Sequence, residues 1–261
     1  MTCQAAACAT VAAVALSALA VPAAAQCPAL EAMCLASYNL DESDGLIAHD
    51  SVAGLDADLM NGPIWNPTGG TLCGGGSLIL DGYDDYVQLP GGTWDDFYEG
   101  ESFCVSFCAK PAHLSDATEH IVGRYHPGNN DGINLGYNIH FEYQGPFPGH
   151  YWMSARTNST GAALYVVSWD SYPPGEWHHV CGVRDQVAGE LRLYVDGVLA
   201  ADPVIDTMSG DFTQNSFVLA RCGDSDQSYF AGEVDQVEFW SGIGPCPTES
   251  SSWSVVKALY R

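Results

Sequence analysis

The stretch from Gly75 to Pro90, G-G-S-L-I-L-D-G-Y-D-D-Y-V-Q-L-P, constrains the fold more than any other part of the chain. Ser77, Ile79 and Asp81 alternate with Leu78 and Leu80, the period of a β-strand with one buried face. Asp81-Gly82 supplies a tight turn, because Gly tolerates a positive φ and Asp bonds back to its own backbone. A second strand runs Tyr86-Val87-Gln88-Leu89 and stops at Pro90, which cannot donate to a ladder. The alternation returns further on: Phe103, Val105 and Phe107 point one way, Cys104, Ser106 and Cys108 the other. Gly and Pro punctuate the chain throughout, as many short strands joined by turns require. Helix spacing is confined to Ser251 to Tyr260, where Trp253, Val256, Lys257 and Tyr260 predict a short helical turn.

Gly75 to Pro90 also resembles the second-strand signature of laminin-G-like jelly rolls, in the concanavalin A-type lectin and glucanase superfamily. Four other segments resemble that family in the right order. Leu35 to Leu40, followed by Asp41-Glu42-Ser43-Asp44-Gly45, is similar to its first strand, and F-C-V-S-F-C-A-K-P from Phe103 to Pro111 to its central strand. Trp177 to Gly197 is similar to a hairpin of a tryptophan-led strand and a strand ending in Asp-Gly. Phe230 to Trp240, F-A-G-E-V-D-Q-V-E-F-W, is similar to the last strand. The resemblance implies an all-β, two-sheet antiparallel jelly-roll sandwich of the concanavalin A-like kind, a single domain over residues 35–261. It leaves the ligand open, since such a fold hosts many functions.

The first 25 residues hold no charged side chain, run apolar from Val11 to Val21 and end in Ala23-Ala24-Ala25, which reads as a secretory signal peptide. Residues 26–34 form a short Cys-containing segment before the domain. Removing 25 of 261 residues leaves 236, which suits one all-β domain. No later stretch approaches the ~20 apolar residues of a membrane span. Eight basic against 32 acidic residues give −24, a field that repels phosphate backbones and excludes nucleic acid as a partner. The acidity serves solubility, or binds cations. Eight cysteines follow the signal: Cys27, Cys34, Cys73, Cys104, Cys108, Cys181, Cys222 and Cys246. An even count in an exported chain predicts disulfides with no free thiol. The family has Trp where Cys108 stands and a small residue where Cys181 stands, so the resemblance implies a bridge between these two.

Glu233, Asp235 and Glu238 read E-x-D-x-x-E, which resembles the catalytic motif of family 16 glycoside hydrolases. Retaining hydrolysis needs two carboxyls roughly 5 Å apart on one face. A regular strand puts Glu233 and Asp235 on one face and Glu238 on the other, so a bulge would be needed. The laminin-G-like resemblance implies another use for Asp235, a structural calcium with Asp41 and Glu42 where the first strand meets the last. The bland reading is that these acids cap turns. Asp81, Asp84 and Asp85 form a second acidic turn, read as turn chemistry before metal.

The segment from Arg124 to Trp152 departs most from the family. Tyr125, His126, Asn130, Asp131 and Trp152 are candidate glycan contacts, because flat rings stack on sugar faces and amides and carboxylates bond hydroxyls. Tyr137, Ile139 and Phe141 alternate and read as core. His178-His179 has no nucleophile motif beside it and reads as strand. Asn158-Ser159-Thr160 is a glycosylation sequon. Three functions follow: an exported non-catalytic module binding an extracellular glycan or protein surface; a glycan-cleaving enzyme using Glu233 and Glu238; and a structural surface or matrix protein.

Overall fold

The computed structural model describes residues 32–69, 75–98, 100–114, 118–124, 136–142, 148–156, 163–208, 217–221 and 228–244. Residues 32–261 form one compact unit. The signal peptide, the helical turn at Ser251 to Tyr260 and Asn158 lie outside the described residues. Among the described residues there is no helix, and hence none long and apolar enough to cross a membrane.

The strands are β1 (Met33–Tyr38), β2 (Ile47–Ala48), β3 (Ala57–Met60), β4 (Ile64–Asn66), β5 (Ser77–Asp81), β6 (Tyr86–Gln88), β7 (Phe103–Pro111), β8 (Thr118–Gly123), β9 (Gly136–Glu142), β10 (His150–Arg156), β11 (Ala163–Val167), β12 (His178–Asp185), β13 (Glu190–Val195), β14 (Val198–Leu199), β15 (Val204–Ile205), β16 (Val218–Leu219) and β17 (Ala231–Ser241). They build two antiparallel sheets. The nine-stranded sheet runs β14-β13-β12-β7-β17-β5-β4, with β1 also paired to β17 and β15 to β13; the eight-stranded sheet runs β11-β10-β9-β8-β16-β6-β3-β2. The expected jelly-roll sandwich is the observed fold.

The alternation in the sequence becomes the two faces of each sheet. Phe103, Val105, Phe107 and Ala109 of β7 lie in the core with Val180, Leu191, Leu193, Val234, Val237 and Phe239. Tyr151 and Met153 of β10, Val166 of β11 and Leu219 of β16 meet them from the other sheet. Burying one such side chain contributes roughly 1.5–3 kcal/mol, so this seam supplies most of the driving force. The Asp81-Gly82 turn forms as read: Gly82 has φ 77°, and a Cβ there would stand 2.6 Å from the Ala231 Cβ. Asp81 Oδ1 accepts from Tyr83 N at 2.8 Å.

Candidate functional site

The last strand holds the acids of the E-x-D-x-x-E motif, and the structure corrects their predicted faces. Glu233 stands opposite Lys110 and Asp235 opposite Cys108; after a one-residue bulge, Glu238 stands opposite Ser106. Gln236, at φ 45°, marks the bulge. Lys110, Cys108 and Ser106 share the face of β7 turned away from Phe107 and Val105, so all three acids lie on the outer face of the nine-stranded sheet. Val234, Val237 and Phe239 are the buried apolar residues of this stretch. Their spacing of three and then two was the signal for the bulge, because a regular strand keeps spacing two.

Sharing a face does not make Glu233 and Glu238 a catalytic pair. Glu233 accepts from Lys110 Nζ at 2.7 Å, Ser77 Oγ at 2.7 Å and Asn66 Nδ2 at 3.0 Å. Burial pushes its carboxyl up, but these donors outweigh burial and hold it below the usual carboxylate range. Lys110 in turn lies 5.9 Å from the centre of the Trp177 ring. Glu238 accepts from Trp240 Nε1 at 3.1 Å. A retaining pair needs an ionised nucleophile beside a carboxyl kept protonated as an acid. Glu233, held as an anion by these donors, meets only the first of these demands.

Asp235 occupies a fork. Before it β17 pairs with β5, and after it with β1. Asp41 follows β1 out of the fork and accepts from Gly76 N, at the entry to β5, at 2.6 Å. A Cβ at Gly76 would come within 2.9 Å of Asp41 Cα and Leu40 O, so only glycine permits this approach. Asp235 is fully buried. Its Oδ1 accepts from Gln236 N at 2.8 Å, and its Oδ2 is buried without a hydrogen-bond partner. Burial, opposed by the Gln236 N–H and reinforced by the negative Asp41, pushes the carboxyl up to about 8. Glu42 Oε1 accepts from His49 N at 2.8 Å, while its Oε2 is buried without a partner. Two orphaned carboxylate oxygens and a buried acid repelled by its neighbour fit a hard cation. The three acids do not converge as closely as Asp81, Asp84 and Asp85, whose ligand atoms all lie within 4.8 Å of one another.

Of the predicted glycan contacts, Tyr125, His126, Asn130 and Asp131 lie outside the described residues, and Trp152 lies on β10. It pairs with Val167 of β11 on one side and position 140 of β9 on the other. Tyr151 and Met153 point into the core, so Trp152 is on the outer face of the eight-stranded sheet. Positions 137, 139 and 141 pair with Ala155, Met153 and Tyr151. The Trp152 ring meets Tyr165 edge-on, with centroids 5.9 Å apart and planes at 78°. Tyr165 is 46% exposed. Sequence reading missed it, although its place between Leu164 and buried Val166 marks an outward position.

His178 is structural, as read. It lies on β12 and its Nδ1 shares a 2.8 Å hydrogen bond with Asp196 Oδ2 in the turn after β13. The cysteine expectations need one correction. Cys34 is a free thiol, and burial, with Glu238 and Asp50 adding to it, pushes it up to about 12. Cys104, Cys108 and Cys181 are each disulfide-bonded. Cys181 faces Ser106, so Cys104 and Cys108 are its two diagonal neighbours on β7. Cys104 Sγ lies 3.3 Å from Cys181 Sγ, too far for a bond between them.

The fold has solved relatives at low identity. Domain 4 of AbnA, a GH43 extracellular arabinanase from Geobacillus stearothermophilus solved with arabinotriose, is 19% identical, with 88% of this chain and 99% of that one covered and a TM-score of 0.61. The binding domain of Paraclostridial Mosquitocidal Protein 1 is 13% identical over 87% of this chain and 51% of that one, TM-score 0.63. The ligand-binding domain of botulinum neurotoxin serotype D, solved with N-acetylneuraminic acid, is 13% identical over 87% and 50%, TM-score 0.59. This chain therefore spans about half the length of these toxin chains. No curated protein matches by sequence. A laminin-G-like family profile matches residues 81–243. That is well over half of the chain, and with the sandwich above it shows that the protein belongs to the concanavalin A-like lectin/glucanases superfamily.

Proposed function

We propose that the chain is an exported, non-catalytic module that binds a carbohydrate on the outer face of its eight-stranded sheet, with a structural calcium at the β1–β5 fork. The observation that carries the reading is the Trp152–Tyr165 pair, two neighbouring rings on one outer face, one of them well exposed. Rigid strands hold the rings, so stacking costs little ordering. The arabinotriose and N-acetylneuraminic acid bound to two similar folds support a sugar over a protein surface. Trp152→Ala and Tyr165→Ala are expected to weaken oligosaccharide binding by about tenfold or more, roughly 1.4 kcal/mol, without changing the circular dichroism. Wild-type affinity in both variants would reject this face.

Asp235, Asp41 and Glu42 would hold the calcium, which supplies charge compensation and ties the first strand to the last. A bound ion at a hundredfold Kd stabilises the fold by about 2.7 kcal/mol. Chelation should therefore lower the melting temperature of the native protein and leave Asp235→Ala nearly unaffected. If Asp235→Ala still responds to chelation and Asp85→Ala does not, the ion belongs to the Asp81–Asp85 turn instead.

A second reading, glycan cleavage by Glu233 and Glu238, has one observation in its favour: the bulge puts both on one face. Hydrolysis of a β-glucan that is lost in Glu233→Gln would establish it. The donors that already occupy the Glu233 oxygens, Lys110, Ser77 and Asn66, argue against it.

A further inference from the structure

We infer that the face at Trp152 and Tyr165 takes a stretch of linked sugars lying along β11, with Trp169 as a second stacking ring. The inference rests on the carbohydrate-binding reading and narrows it to a substrate class, a polysaccharide chain rather than a single terminal sugar. Trp169 lies two residues beyond the end of β11, and the strand geometry runs on to it. The register that pairs Trp152 with Val167 continues: Ser168 N donates to Tyr151 O at 3.0 Å, and Tyr151 N donates back to Ser168 Oγ at 3.1 Å. Trp169 N then points the other way and donates to Ala200 O at 2.8 Å, as the alternation of a strand requires. Burial alternates with the same period. Val166 and Ser168 are 1% and 3% exposed, whereas Tyr165 is 46% and Trp169 60% exposed, with partly buried Val167 between them. Tyr165, Val167 and Trp169 therefore stand on one side of the chain, the side that carries Trp152.

The three rings have different parts. Trp152 is partly buried and meets Tyr165 edge-on, so it braces the Tyr165 ring. Tyr165 and Trp169 are the two exposed rings. A strand rises about 3.3 Å per residue, so their backbone positions are about 13 Å apart. One sugar ring cannot reach across that distance. A run of linked sugars can, and it passes over Val167, whose apolar side chain suits the C–H side of a sugar. Each ring alone offers only a shallow contact. Once a sugar is seated on Tyr165, the contact of a linked sugar with Trp169 is intramolecular, so it adds affinity without a second cost of association. The hydrogen bonds to Tyr151 on one side and Ala200 on the other fix the segment between the rings before a ligand arrives.

The test is titration calorimetry of the full chain, with calcium present, against oligosaccharide series of linear arabinan, xylan and cellulose, from the monosaccharide to the hexasaccharide. In whichever series binds, affinity is expected to rise at least about tenfold from the disaccharide to the tetrasaccharide and to level off beyond it. Trp169→Ala is expected to remove that gain, and Trp169→Tyr, which keeps a stacking face, to retain most of it. The side chain of Trp169 is exposed, so both variants should keep the melting temperature of the native protein. Tyr165→Ala is expected to weaken every member of the series. A disaccharide that binds as tightly as the tetrasaccharide, or a gain with length that survives in Trp169→Ala, overturns the inference; if Tyr165→Ala still weakens binding, the carbohydrate-binding reading stands. If no sugar binds, or binding ignores both Trp152→Ala and Tyr165→Ala, the binding reading falls and the inference with it.

Discussion

Asp95 and Asp50 show how much this acidic chain depends on single carboxylates. Asp95 is fully buried and accepts from Phe217 N at 3.1 Å. Burial outweighs the nearby Arg124 and that N–H and pushes the carboxyl up to about 6. A carboxyl raised on folding favours the folded state below its unfolded value of about 4, and that advantage is lost as pH rises through the folded value. Between pH 4 and pH 7 the loss is on the order of 3 kcal/mol. Asp95→Asn keeps an oxygen for Phe217 N and removes the proton. Denaturant unfolding from pH 4 to pH 8 should show the variant gaining on the native protein as pH rises; parallel curves would refute this. Asp50 works by hydrogen bonding: it accepts from the N–H groups of Ser37 at 2.7 Å, Val52 at 3.1 Å, Ala53 at 2.8 Å and Leu55 at 3.0 Å. Asp50→Ala strands these donors and should cost about 3 kcal/mol or more, a fall of roughly 6–12 °C in Tm by calorimetry. Neither role was legible in the sequence, where an acid that binds four amides looks like any other loop acid.

At the scale of elements, β17 is the strand on which the fold and the site depend together. Deleting Gln236 would leave Val234, Asp235, Val237, Glu238 and Phe239 in unbroken alternation, so the ladder with β7 can close in its present register. The bulge lies where β17 changes partner from β5 to β1, beside Asp235. Deletion of Gln236 should keep the strand-dominated circular dichroism and abolish the calcium-dependent rise in melting temperature. A deletion variant that still responds to calcium would separate the bulge from the ion. The strands that were read lie within two residues of their observed ends: the first was read as Leu35 to Leu40 and is Met33–Tyr38, the last as Phe230 to Trp240 and is Ala231–Ser241. The bulge was raised only as a condition for catalysis, because an E-x-D-x-x-E string draws the eye to the acids, while the apolar residues between them set the faces.

For the whole molecule, the decisive quantity is a net charge of −24 on 261 residues. Self-repulsion of that size opposes the compact state, and salt relieves it. With a chelator present to remove any specific ion, raising NaCl to about 1 M should lift the melting temperature by at least about 3 °C, roughly 1 kcal/mol for a chain of this size. A flat response would mean that the local pairs, such as Arg192 with Asp185 and Glu190, already neutralise the field.

The sequence by itself determined the all-β class, the order of the main strands and, where the alternation is unbroken, which side of each faces inward. Those follow from period-two alternation and turn chemistry, which are local. It also marked Asp235 and Trp152 as the residues to examine. Only the tertiary structure decided which acids share a face, because one inserted residue in β17 reverses every later position. Only the tertiary structure showed that Glu233 is held by Lys110, Ser77 and Asn66, residues at least 123 positions away in the chain. It likewise paired Trp152 with Tyr165 and left Cys34 unbridged. Hydrogen bonds, ring contacts and disulfides depend on distances between strands far apart in sequence, and no local pattern encodes those distances.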